Sequence, residues 1–244
     1  MKIGIISDIH SNIDALIKVF EEFEKLKVNK IICLGDVIGI GPYPAKCVDF
    51  LMNKSDMIIS YVRGNHENYL FKGIPERNHN EKDGRILSEE ERNTHRWNHS
   101  CLEKNQIEFI KKLKNRDILE IEGKRIVAEH YPMDKNGKFK KFYKHPTIEE
   151  LKESFEEKNG DIYLFGHTHQ ICYFEDEGKL FINPGSLGCP VDTGGASCGI
   201  LTIEKENIKY DQMIIKYDIE KVIKEIKILR YPLNWFMIKI FYGR

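Results

Sequence analysis

Seven side chains that suit metal ions stand in five short stretches of this chain. They are Asp8 and His10 in "SDIHSN", Asp36 in "CLGDVIG", Asn65 in "VRGNHEN", His130 in "VAEHYP", and His167 and His169 in "FGHTHQ". Each stretch follows a short apolar, β-branched run. On an extended backbone, alternation with period two sends Asp8 and His10 to the same side, where both can reach one point. An isolated D-x-H more often caps a turn or satisfies a loop carbonyl, but five such strand ends suggest a shared task. In three of them a glycine (35, 64 or 166) precedes the polar group and leaves the backbone room for a close approach. With one bridging carboxylate, for which Asp36 is the natural candidate, seven donors give two ions four protein ligands each. No thiol is among these seven donors. That argues against a structural thiolate zinc site and for two divalent ions of the manganese, iron, zinc or nickel type, manganese first, with open positions. Two such ions ~3.5–4 Å apart lower the pKa of a shared water and clamp both oxygens of an in-line displacement, which is phosphoester chemistry.

These stretches can meet only if strand ends gather on one sheet edge. "KIGII" is followed by "NIDALIKVFEEFEKLK", whose Ile13, Leu16, Ile17, Phe20, Phe23 and Leu26 mark one helical face. "KIICL", a shorter helix near "AKCVDFLM" and "MIISYV" complete a β-α-β-α-β run. Crossover helices imply a largely parallel sheet, covered on both faces, with chemistry at the strands' carboxyl ends. From about residue 71 to 115 the pattern turns polar and strand-free. Here "LSEEERNTHRWNHSCLEKNQIEFIKKL" reads as a helix with a Ser88/Glu91 capping box, an inserted cap. Strands resume at "DILEIEGKRIVAEH", with "EGK" as a hairpin turn, and "TIEELKESFEEKNG" reads as a helix with a Thr147/Glu150 box and Gly160 as its stop. "IYLFGHTH", "ICYFEDEGKLFIN" and "CGILTIEKENIKYDQMIIKY" supply a second group of strands, expected to be antiparallel and joined by tight turns. The outline is one domain over residues 1–244, a four-layer α/β/β/α sandwich with a small helical cap at about 71–115 and a helical tail at about 218–244.

Lys plus Arg equals Asp plus Glu at 38 each, so no global field holds the chain on nucleic acid or an anionic membrane, and an anionic substrate must be gripped locally. The six cysteines form no C-x-x-C pair and lie mostly in apolar settings, which points to a reducing cytosol. The start "KIGIISDIH" has no signal core, and a cytoplasmic location is expected. No apolar run reaches the ~18–20 residues of a membrane span. The aromatic tail "YPLNWFMIKIFYGR" is expected to dock on the body or on a partner subunit, the latter as a homo-oligomer.

Three further features carry weaker signals. In "DKNGKFKKFYKHP", Lys138, Lys140, Lys141 and Lys144 interleave with Phe139, Phe142 and Tyr143, a mixture that can meet phosphate and stack on a base, although a solvated loop with docked aromatics is the simpler reading. His95 and His99 are spaced to share a helix face, expected to be a solvated one. Arg63 reads as an anchor for its loop.

"SDIHSN", "GDVIGIGP", "RGNHE", "GHTH" and "NPGS", in this order, resemble the calcineurin-like metallophosphoesterases, in particular their compact bacterial and archaeal branch. The resemblance implies the same α/β sandwich, a first ion held by Asp8, His10, Asp36 and His169, and a second held by Asp36, Asn65, His130 and His167. It implies His66 as the general acid for the leaving oxygen. Ser11 replaces the usual glycine of the first motif, Tyr131 follows His130 where the family has glycine, and Cys189 and Val191 stand where relatives often carry Gln and Arg. The expected activity is hydrolysis of a phosphodiester or a nucleotide phosphoanhydride by a metal-bridging hydroxide, on a small phosphorylated substrate. A protein or small-molecule phosphomonoesterase is the rival among enzymes, and a binding scaffold on the same fold is the rival outside them.

Overall fold

The computed structural model describes residues 1–77, 86–156, 158–204 and 207–244. Strands β1 (Lys2–Ile6), β2 (Lys30–Cys33) and β3 (Ile58–Tyr61) alternate with helices α1 (Ile13–Lys25) and α2 (Pro44–Asn53), and pair in parallel as the β-α-β-α-β reading requires. Asn12 starts α1 by accepting the Ala15 N–H at 3.1 Å, and Pro44, which has no N–H to leave unpaired, starts α2. Helix α3 (Asn65–Lys72) follows β3, and the cap region beyond it contains α4 (Glu89–Ser100) and α5 (Lys104–Lys112). The second half supplies β4 (Arg116–Ile121), β5 (Lys124–Glu129), α6 (Ile148–Phe155), β6 (Ile162–Leu164), β7 (Ile171–Asp176), β8 (Lys179–Pro184), β9 (Ala196–Glu204) and β10 (Asn207–Ile215).

Two five-stranded sheets result, in the orders β10-β9-β1-β2-β3 and β4-β5-β6-β8-β7. Period two sorts their side chains into layers. Ile3, Ile5, Ile32 and Leu34 meet Ile126, Ala128, Ile162, Leu164 and Ile182 between the sheets. The intervening Ile6, Ile31 and Cys33 pack under Leu16, Val19 and Phe23 of α1, while Val127, Tyr163 and Phe181 pack under Leu151 and Phe155 of α6. This is the expected four-layer α/β/β/α sandwich.

The second strand group departs from the expectation of antiparallel pairing. The β4–β5, β7–β8 and β9–β10 pairs are antiparallel hairpins, but β6 lies parallel to both β5 and β8, because α6 carries the chain over the sheet between β5 and β6. The β9–β10 hairpin joins the first sheet, beside β1. The single long cap helix is broken between Ser100 and Lys104, where the Glu103 N–H bonds the Gln106 side chain and begins a new helix. Residues 78–85 of the expected cap lie outside the described residues. Helix α6 ends at Phe155, before Gly160, whose role is packing: a Cβ there would lie 2.8 Å from Val127 Cγ2.

The tail, α7 (Ile219–Ile228), α8 (Asn234–Met237) and a π-helical turn at Ile238–Tyr242, docks on its own body. Tyr231, Met237, Ile238 and Tyr242 are buried there with Ile40 and Cys189. Among the described residues no helix is long and apolar enough to cross a membrane.

Candidate metal centre

The site lies where β1, β2, β3, β5 and β6 end. Asp8 and His10 do not converge through strand alternation, because β1 ends at Ile6. They converge because Asp8, His10 and Ser11 adopt left-handed backbone angles, φ +52°, +46° and +56°. Asp36, His167 and His169 do the same at +51°, +68° and +60°. Non-glycine residues reach this region at a cost of about 1–3 kcal/mol each, and aspartate and histidine are among the side chains that tolerate it best. Interlocked loops impose it: the N–H groups of Asp8, His10 and Ser11 donate to the carbonyls of Gly35, Asp36 and Val37 at 3.0, 2.9 and 2.8 Å. The β3–α3 turn closes on the same loop so tightly that a Cβ on Gly64 would overlap the Asp36 carboxylate.

All seven expected donors meet, and they form two groups. His10 Nε2 faces His169 Nε2 at 2.9 Å, with Asp8 Oδ1 3.7 Å from the first and 3.4 Å from the second. His130 Nε2 faces His167 Nδ1 and Asn65 Oδ1, each at 3.2 Å. Asp36 Oδ2 stands between the groups, 3.2 Å from His130 Nε2 and 3.9 Å from His10 Nε2. The Nδ1 atoms of His130 and His10 lie 2.8 and 3.3 Å from the Leu34 and Ile38 carbonyls, which can only accept, so each Nδ1 carries a proton and each Nε2 is the nitrogen turned to the site. Asp8 is fully buried, its Oδ2 accepts from Ser7 Oγ and the His167 N–H, and its Oδ1 has no hydrogen-bond partner. Ring nitrogens aimed at one another and a buried carboxylate oxygen without a hydrogen-bond partner are what a divalent cation would satisfy.

The charges agree. Burial raises both carboxylates, and facing imidazoles more than reverse this: His169, His10 and His130 hold Asp8 well below the usual range, and His130, His66 and His10 hold Asp36 below it. Burial opposes the charge on His130, yet Asp36 and Asp8 raise it to about 9, and His169 is raised well above the ordinary value by Cys189 and Asp8. Burial and the His130 charge take His167 down to about 3.

His66, the second residue of α3, stands at the edge of this cluster, with Nε2 3.9 Å from Asp36 Oδ2 and its own N–H donating to Asp36 Oδ1 at 2.9 Å. Its Nδ1 packs against Gly39, where a Cβ would overlap it. Burial pushes its pKa well below the ordinary histidine value.

Several neighbours escaped the sequence reading. The face of α4 bearing His95 and His99 is not solvated: the His95 ring sits 5.1 Å from that of His66, and Asn98 accepts from the Gly39 N–H at 2.8 Å, tying the cap to the second motif. Glu67 accepts from the N–H groups of Asp36, Val37, Ile38 and Gly64 at 2.7–3.1 Å, so the last letter of "GNHE" fixes the Asp36 loop. Cys189 Sγ reaches the first group: its ligand atom and those of His10 and His169 lie within 4.8 Å of one another. Tyr131, in the place of a glycine, bonds the Lys141 carbonyl and the Tyr143 N–H, and so holds Phe139 and Phe142 beside the His167 ring at 5.3 and 5.5 Å. These aromatics are docked, while Lys138, Lys141 and Lys144 remain exposed. Arg63 lies over the Phe71 ring and its N–H bonds Lys114 O, which fits an anchor.

A two-sheet sandwich carrying histidine and carboxylate groups at the strand ends is the architecture of metallophosphoesterases. The chain belongs to the calcineurin-like phosphoesterase superfamily, whose domain profile matches residues 1–206, and it is accordingly a phosphoesterase-type hydrolase. It is 27% identical to the uncharacterized protein MJ0912 of Methanocaldococcus jannaschii, an alignment covering 99% of this chain and 98% of that one. Its fold is similar to the metallophosphoesterase from Sphaerobacter thermophilus, with a TM-score of 0.76 at 20% identity over 99% of this chain and 98% of the other. The hypothetical protein PH1004 from Pyrococcus horikoshii OT3 has the same fold, with a TM-score of 0.81 at 19% identity over 98% and 97% of the two chains.

Proposed function

We propose that the protein is a cytoplasmic, dinuclear metal-dependent phosphoesterase that hydrolyses a phosphodiester or a nucleotide phosphoanhydride in a small substrate. The observation that carries this reading is the pair of donor groups sharing Asp36 Oδ2, with Asp8 Oδ1 unpartnered beside them. Asp8, His10, Asp36 and His169 would hold one ion, and Asp36, Asn65, His130 and His167 the other. Bound ions of this class supply an activated water for in-line attack and Lewis-acid stabilisation of the phosphoryl oxygens.

The remaining work falls to the chain. His66 stands at the edge of the cluster and is 14% exposed, so its Nε2 can meet a leaving oxygen. Burial keeps this imidazole neutral in the free protein, and an arriving anionic ester favours its protonated, acid form. Phe139 and Phe142, docked beside the His167 ring, wall that side of the site.

The test is hydrolysis of bis-p-nitrophenyl phosphate and p-nitrophenyl phosphate by chelator-stripped protein with and without Mn²⁺. Metal-restored diester turnover supports the proposal, preference for the monoester moves it to a phosphatase, and silence on both favours a scaffold. Replacing Asp36 with Asn or His169 with Ala is expected to remove bound metal and turnover together, with metal content read by elemental analysis.

A further inference from the structure

The six cysteines are not equivalent. Cys33, Cys47 and Cys198 pack as small apolar groups under the helices of the first sheet, Cys172 does so on the outer face of the second, and Cys101 caps α4. Among the described residues, only Cys189 belongs to a group of side chains able to hold a metal ion. We propose that Cys189 is a further protein ligand of the first ion position, its thiolate joining His10 and His169 there, so that this position takes a soft or borderline cation such as Zn²⁺, Fe²⁺ or Co²⁺ in preference to Mn²⁺ or Mg²⁺. The inference rests on the metal-centre reading and specifies the chemistry of half of it.

Three observations carry it. The sulfur and the two ring nitrogens lie within 4.8 Å of one another, and typical metal–nitrogen and metal–sulfur bonds of about 2.0–2.1 and 2.3 Å allow one ion to gather them with an inward shift of a few tenths of an ångström. In the same place His10 Nε2 and His169 Nε2 face each other at 2.9 Å, and the fully buried Asp8 Oδ1, without a hydrogen-bond partner, lies 3.4 Å from the second of them. The thiol is also held in register with the donors. Its own N–H bonds Ser186 Oγ at 3.0 Å, Ser186 Oγ donates to the Asp8 carbonyl at 2.8 Å, and the Gly188 N–H bonds that same carbonyl at 2.9 Å. Asn12 Nδ2 holds the Gly188 carbonyl at 2.9 Å, and a Cβ on Gly188 would overlap the Ile9 carbonyl. The loop bearing Cys189 is therefore fixed against the loop bearing Asp8 and His10.

Soft thiolate selects zinc, iron and cobalt, whereas a site of carboxylate and water suits manganese and magnesium. On binding, the S–H bond breaks as the sulfur–metal bond forms, and the proton leaves to buffer.

The experiment is a cobalt titration of the chelator-stripped full chain, reading the visible ligand-field bands and the near-ultraviolet thiolate-to-cobalt charge-transfer band separately. Both are expected in the wild type. Cys189→Ser is expected to keep ligand-field bands and lose the charge-transfer band, and to lower the preference for Zn²⁺ over Mn²⁺ by at least about tenfold, since even outer partners of a metal ligand are worth 10–100-fold in affinity. Cys101→Ser should keep both bands. X-ray absorption of the zinc-loaded wild type needs no variant and should show a sulfur neighbour at about 2.3 Å. Ligand-field bands without a charge-transfer band, or no sulfur neighbour around zinc, would overturn the role of Cys189 and leave the centre standing. Failure to bind cobalt at all would overturn both.

Discussion

Stripping the metal should leave a protein whose stability peaks near pH 6.5 and then falls, because protons on His130 and His169 take over part of the ions' task. His130 lies 3.2 Å from Asp36 Oδ2 and 4.0 Å from Asp8 Oδ1, and these neighbours raise its pKa from 6.5 to about 9 despite its burial. A base whose folded pKa exceeds its unfolded value binds more protons in the native state, so its contribution is complete below about 6.5 and is lost as pH rises towards about 9. That interval corresponds to roughly 3 kcal/mol from His130 alone, with His169 adding in the same direction. His66 and His167 act oppositely and earlier. Both are pushed down by burial, so the native state binds fewer protons than the unfolded chain, and stability rises with pH until about 6.5. For a chain of this size the fall above the maximum amounts to roughly 6–12 °C in melting temperature. Melting in a chelating buffer from pH 5 to 9.5 tests this, alongside His130→Gln, which should lose the His130 share of the alkaline slope, and the metal-loaded protein, which should lose most of it. Metal affinity should rise with pH over the same window as each ion expels a proton. A melting temperature that is flat from pH 6.5 to 9 without metal, or an equal slope in His130→Gln, would refute the electrostatic argument.

Two substitutions separate the parts of the site, and a third tests a buried ion pair on β5. His66→Ala should keep both ions by elemental analysis and lower kcat by roughly 10²–10⁴, more on a diester with a poor leaving group than on a nitrophenyl ester; an equal loss on both would remove its role as acid. Gly39→Ala, at φ +95° and with a Cβ that would overlap His66 Nδ1, should reproduce that kinetic loss while metal content stays normal. Glu129→Gln removes the carboxylate charge that Arg116 and Lys158 meet at 2.9 and 3.0 Å, and Glu129 is fully buried. A cost of about 3–5 kcal/mol is expected in urea unfolding, and a loss under 1 kcal/mol would show that the pair is worth no more than a surface ion pair.

What the sequence discloses about this fold is what periodicity can carry. The alternation of Ile3, Ile5 and Ile6, or of Ile162, Tyr163 and Leu164, sorts side chains into layers before any coordinates exist. The destination of the β9–β10 hairpin was hidden, since an alternating hairpin packs equally well on either sheet and only its pairing with β1 decides. The seven donors were visible for a related reason: each follows a strand, and parallel strands bring their ends together. The local cause was misread, because period two describes extended backbone and Asp8 and His10 are left-handed. The roles of Cys189, Glu67 and Asn98 were hidden by distance, because each meets its partners across a long stretch of chain. Cys189 stands far along the chain from His10, and the two meet only because the Leu187 and Gly188 N–H groups bond the Ser7 and Asp8 carbonyls at 3.0 and 2.9 Å. Those same hydrogen bonds help hold Asp8 in its costly conformation. The chain therefore meets the strain of its ligand loops with bonds from remote segments, and these bonds determine which distant side chains reach the metal positions. That is why Cys189, the residue expected to tune the first ion position, lies outside the motifs that announce the centre.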